Sequence, residues 1–77
     1  MKTKKVRHKS ALRKSFAANL RRDREARGLS RETLARQAGL RHAYVESVER
    51  GERSIPIDNI ELLARALGLE PADLLRR

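Results

Sequence analysis

Residues 30 to 51 constrain this chain more than any other stretch. They read Ser-Arg-Glu-Thr-Leu-Ala-Arg-Gln-Ala-Gly-Leu-Arg-His-Ala-Tyr-Val-Glu-Ser-Val-Glu-Arg-Gly, two short helical patterns on either side of one glycine. Ser30 is a natural N-cap, and Leu34, Ala35 and Ala38 give the first helix (30–38) its apolar face. Gly39 ends that helix. Leu40 and the pair Val45/Val48, three apart, anchor a second helix over 41–49, which Gly51 stops. Two short helices joined by a tight glycine turn must therefore lie close together.

The flanks repeat the theme. Leu12, Phe16 and Leu20 recur every four residues with Ala17 beside them, so a helix starts at about Ser10 or Ser15 and runs to Arg27, where Gly28 stops it. Leu29 turns inward. Glu52 to Pro56 is a loop. Ile57, Ile60, Leu63, Ala64 and Leu67 keep helical spacing over 57–67, with Gly68 at the C-terminal cap. Pro71 suits the first position of a short last helix, whose apolar side is Leu74 and Leu75. No segment alternates with period two. The expected fold class is therefore all-α, with five helices and no sheet.

Charge divides the chain. Residues 1–14 carry seven Lys or Arg and no acid, whereas residues 15–77 carry twelve basic against ten acidic side chains. The expected organisation is a disordered basic arm over 1–10 and one small domain over 11–77. Lys4, Lys5 and Arg7 of the arm suit a polyanion. No apolar run approaches the roughly 20 residues of a membrane span, and no apolar h-region follows the basic start. The absence of cysteine removes disulfides and most zinc sites and fits a reducing, cytoplasmic setting. Neither a metal nor a cofactor is expected.

An enzyme is not expected either. Histidine occurs only at His8 and His42, neither beside a nucleophile, and all four glycines fall at helix ends rather than in a phosphate-cradling loop. Single-strand binding by stacking lacks an aromatic platform, because Phe16 and Tyr44 fall on different helices. The layout of 30–51 is instead that of a helix-turn-helix, whose second helix enters a DNA major groove. With Val45, Val48 and part of Tyr44 turned inward, the outward positions of that helix are Arg41, His42, Ala43, Glu46 and Ser47.

Gly28-Leu29-Ser30, Leu34-Ala35, Gly39, Tyr44-Val45, Val48-Glu49-Arg50-Gly51 and Leu63-Ala64-Arg65-Ala66-Leu67-Gly68 stand in an order and spacing that resembles the Xre/Cro-type, lambda-repressor-like family. The resemblance covers roughly Phe16 to Leu75. The stretch from Gly51 through Gly68 also resembles the small controller proteins of restriction–modification systems. The family resemblance implies a transcriptional regulator that reads double-stranded DNA. Its base-contacting positions fall on His42, Ala43 and Ser47, with Arg41 and Glu46 as additions. Its phosphate contacts fall on Arg31, Arg50 and Arg53. It implies a structural ion pair between Arg24 and Glu49. It also implies a homodimer on a palindromic operator, for which Ile55, Leu62, Leu69, Leu74 and Leu75 offer an apolar patch. Arg41 stands where the family has a Ser, Thr or Asp cap, and Pro56 where a Ser cap is common. No small-molecule substrate is evident. The alternative is an antitoxin or bridging factor whose main partner is another protein. The short reach of the chain past Leu75 disfavours it, because it leaves only the arm for that partner.

Overall fold

A computed structural model describes residues 10–77. Five helices follow in order: α1 (Ala11–Ala26), α2 (Arg31–Ala38), α3 (His42–Glu49), α4 (Ile57–Leu67) and α5 (Pro71–Leu74). No strand occurs among the described residues.

Local chemistry sets the helix ends. Ser10 starts α1 by accepting the Arg13 N–H at 3.0 Å, and Ser30 starts α2 by accepting the Thr33 N–H at 3.0 Å. The earlier of the two starts allowed for α1 is thus the actual one. At the end of α2, Gly39 adopts φ 74°, a left-handed conformation that side chains with a Cβ resist. The Gly39 N–H then bonds the Arg36 carbonyl and the Leu40 N–H bonds the Ala35 carbonyl, at 3.2 and 2.8 Å. This reversal satisfies the last carbonyls of α2 and turns Leu40 back toward the core. Gly51 closes α3 in the same way at φ 73°, with Glu52 N–H bonded to the Ser47 carbonyl.

The core joins Phe16 and Leu20 of α1, Leu34, Ala35 and Ala38 of α2, Val45 and Val48 of α3, Leu63, Ala64 and Leu67 of α4, and Leu74 of α5. Burying each of the larger side chains contributes about 1.5–3 kcal/mol, and every helix supplies at least one such residue. α2 packs on α3 and α4, while α1 packs on α3 and α5. The orientation of α3 is thereby set from two sides.

Three apolar residues depart from expectation. Leu12 and Ile57 fall on the core stripes of their helices by spacing, yet they are 43% and 81% exposed. Each sits in the first turn of its helix, where the described residues cover that side only in part. Leu74, expected in an intermolecular patch, is fully buried in the chain's own core.

A buried polar group fastens the C-terminus. The Asn19 side-chain amide donates to the carbonyls of Leu74 and Arg76 at 3.0 and 2.7 Å. Replacing Asn19 with alanine strands the buried Leu74 carbonyl, and we expect a loss of about 1–3 kcal/mol in urea unfolding. A loss under about 0.5 kcal/mol would show that water replaces the amide without penalty.

Candidate nucleic-acid interface

Helix α3 presents its N-terminal half to solvent. Arg41, His42 and Ala43 are exposed, whereas Val45, Val48 and Glu49 are buried. Arg41 occupies the N-cap position but makes no side-chain cap bond. The first N–H groups of α3 therefore lack the internal acceptor that Ser30 gives α2. A helix start without a cap, next to a cation, favours an anion from outside.

Glu46 gathers two of the candidate residues around it. His42 Nε2 lies 3.3 Å from its carboxylate, one turn away on the same helix. Arg31 Nε, at the first position of α2, lies 3.9 Å from the same carboxylate. Arg31, His42 and Glu46 thus form one solvent-facing cluster that joins the start of α2 to the outer face of α3. The Glu46 carboxylate offsets part of the positive charge of Arg31 at this surface.

Beneath this surface lies a buried ion pair. Arg24 of α1 donates twice to Glu49 at the end of α3, Nε to Oε2 at 2.6 Å and Nη2 to Oε1 at 3.1 Å. Its Nη1 donates to the Leu29 carbonyl at 2.7 Å, just before α2. The two side chains are 9% and 3% exposed. The hydrogen bonds that Arg24 donates to Glu49 raise the Arg24 pKa above the ordinary arginine value, against the opposing effect of burial. One guanidinium therefore ties together α1, the turn before α2 and the end of α3. A two-point contact of this kind restricts rotation of α3 about its axis.

The loop after α3 supplies two further cations. Arg50 is exposed and pairs with Glu52 at 3.2 Å, an exposed contact worth little. Arg53 is more tightly held. Its Nε donates to the Ser47 hydroxyl at 2.8 Å, and its guanidinium lies 5.5 Å from the centroid of the Tyr44 ring. The Tyr44 hydroxyl in turn accepts from Asn59 Nδ2 of α4 at 3.0 Å.

Ser47 departs from its expected place. Spacing puts it outward as a base contact, but it is only 8% exposed and its hydroxyl also donates to the Tyr44 carbonyl at 2.9 Å. The loop carrying Arg53 folds over that side of α3 and covers it. The roles of Tyr44 and Asn59 escaped the sequence reading, because nothing in helical spacing reveals a bond between residues 15 apart.

Of the residues expected in the apolar patch, one is withdrawn into the core and the others stay partly exposed. Ile55 and Leu75 are half-buried and share a groove of about 200 Å³ with Leu12, Phe16 and Ile60. Leu62 is 36% exposed on α4, and Leu69 is half-buried after it. Leu74 leaves the patch altogether. Lys4, Lys5 and Arg7 lie outside the described residues. Among the described residues no cluster of three or more His, Cys, Asp or Glu is arranged to hold a metal, and no helix is long and apolar enough to cross a membrane.

Comparison with known proteins decides the family. Residues 20–74 match the helix-turn-helix family model HTH_3. The chain belongs to this family. Its relatives within it, the Xre/Cro-like group of DNA-binding transcription regulators, include control proteins rather than enzymes. The control protein C.BamHI of Bacillus amyloliquefaciens is 45% identical over 47 residues, which cover 61% of this chain and 58% of that protein. This HTH_3 chain therefore spans under two thirds of that relative's length. The control protein C.SmaI of Serratia marcescens is 40% identical over 62 residues, covering 80% of this chain and 74% of its own. The crystal structure of the restriction–modification controller protein C.AhdI from Aeromonas hydrophila is 48% identical. It superposes with a TM-score of 0.81 over 84% of this chain and 98% of that one.

Proposed function

We propose that the chain is a sequence-specific regulator of transcription that binds a palindromic operator as a homodimer. The N-terminal half of α3 lies in the major groove, with Arg41, His42 and Ala43 meeting base edges. Arg31, Arg50 and Arg53 hold phosphates around it, and Glu46 tempers the attraction of Arg31 for any passing anion. The basic arm, with Lys4, Lys5 and Arg7, adds affinity that does not depend on sequence.

The observation that carries this reading is the exposed, uncapped start of α3 mounted on a buried ion pair. A reading surface needs side chains that are accessible on an element that is rigid. Membership in a family of DNA-binding regulators supports the same conclusion. Symmetric pairing supplies two copies of α3 about 34 Å apart, one turn of DNA. Among the described residues, the exposed Leu62 with the half-buried Ile55, Leu69 and Leu75, and the exposed Ile57 and Leu12, are the apolar material available for pairing. The likeness to the restriction–modification controller protein C.AhdI supports a role in controlling restriction–modification genes.

Selection of bound sequences from a random duplex pool tests the proposal. The expected winner is a palindrome with half-sites one turn apart. Recovery of no preferred sequence over bulk competitor DNA would overturn it. With the winning duplex in hand, Arg41→Ala or His42→Ala should weaken specific binding by about 1–3 kcal/mol and blur preference at one or two base pairs. Uniform weakening on all duplexes would move the residue concerned from base reading to phosphate contact.

A further inference from the structure

Ser47 lies beneath the reading surface, bonded on both sides. A serine hydroxyl offers one donor and two lone pairs. Here the donor goes to the Tyr44 carbonyl at 2.9 Å, so a lone pair is left facing the Arg53 Nε–H at 2.8 Å. The direction of each bond is thereby set. Ser47 has no proton left for a base edge, and at 8% exposure it has no access to one.

The arginine it holds belongs to a loop. A long loop side chain ordinarily loses many rotamers when it docks on a ligand. Arg53 is restrained beforehand by two contacts, the Ser47 hydroxyl at its Nε and the Tyr44 ring under its guanidinium, and Asn59 of α4 holds that ring by its hydroxyl. The Ser47 bond engages Nε alone. Among the described residues neither terminal nitrogen of Arg53 is bonded within the protein, so the edge that grips a phosphate in two-point fashion remains accessible.

We propose that Ser47 is a positioning residue, whose hydroxyl holds Arg53 over Tyr44 so that the guanidinium meets a DNA phosphate already in place. This rests on the DNA reading given under Proposed function, and it reassigns Ser47 from base contact to a support of phosphate binding. It also gives Tyr44 and Asn59 a task, since together they link the start of α4 to the DNA-facing side of α3.

The test is a double-mutant cycle with Ser47→Ala and Arg53→Ala on the selected operator duplex, with Kd measured across a salt series. Ser47→Ala should weaken binding about three- to tenfold when Arg53 is present and have no effect when Arg53 is alanine. Arg53→Ala should lower the slope of log K against log salt by about 0.9, the value of one phosphate contact. Base preference should be unchanged in both variants. An equal loss from Ser47→Ala in both backgrounds, or a changed base preference, would overturn the proposal. A second measurement needs no DNA. In the free protein the Arg53 Nε–H should exchange slowly with water by NMR, and Ser47→Ala should return it to the rate of an exposed arginine. Fast exchange in the unaltered chain also overturns the proposal. A chain that prefers no duplex but shows slow exchange defeats the DNA reading while leaving the Ser47–Arg53 contact intact.

Discussion

Replacing Glu49 with alanine should destabilise the fold by about 3–5 kcal/mol, read as a lower midpoint in urea. The carboxylate accepts two bonds from Arg24, at 2.6 and 3.1 Å, in a site where neither side chain is more than 9% exposed. Removing it leaves a 9% exposed guanidinium with only the Leu29 carbonyl at 2.7 Å and the exposed Glu25 carboxylate at 3.8 Å as partners. Small domains have only about 5–15 kcal/mol of total stability, so the variant should be partly unfolded near body temperature. Replacing both partners with apolar residues of similar size, Arg24→Met with Glu49→Leu, should recover most of the loss, because no charge is then stranded. If Glu49→Ala costs under 1 kcal/mol, the pair behaves like an exposed one and does not fix the angle of α3. The raised Arg24 pKa gives a clear sign for pH. Its contribution is fully present below the ordinary arginine pKa and fades only as pH rises through the still higher folded value, so the arginine adds no pH dependence near neutrality.

Removal of residues 1–9 should reduce DNA affinity by about a hundredfold or more at moderate salt and flatten the salt dependence. The segment carries Lys2, Lys4, Lys5, Arg7 and Lys9 without an acid. If all five meet phosphates, the slope of log K against log salt falls by about 4–5, since each contact contributes about 0.9. Preference among operator sequences should survive, because base edges are assigned to α3. An unchanged slope after truncation would restrict the arm to a solubilising role.

The helices are legible in the amino-acid sequence because their signals are local. Ser10 and Ser30 cap the helices that follow them, Gly28, Gly39, Gly51 and Gly68 take left-handed φ at the ends, and Pro71 opens the last helix. Each signal acts within four or five residues through backbone sterics and hydrogen bonds. The outer positions Arg41, His42 and Ala43 were legible for a related reason: Val45 and Val48 must face the core, which turns the opposite side of α3 outward.

Where spacing alone was followed, it failed at the edges of packed surfaces. Ile57 and Leu12 keep the period of their helices but extend beyond their neighbours. Leu74 is drawn inward because α5 closes on α1, where Asn19 fastens it. Ser47 keeps an outward angle by count, yet the Arg53 loop covers it. A helical period gives the direction of a side chain about its own axis. It carries no information on which other element stands in that direction.

The amino-acid order by itself determined the five helices, their stops, the apolar stripe of each, and the concentration of positive charge before residue 15, since these follow from interactions between near neighbours. Only the tertiary structure decided that Glu46 joins Arg31 to His42, that the Arg24–Glu49 pair expected from the family resemblance makes two bonds out of water, and that Ser47 accepts from Arg53. Those contacts exist because the packing of α1 and α2 on α3, and the fold of the loop after it, bring distant residues within hydrogen-bond reach, and that distance is a property of the assembled core.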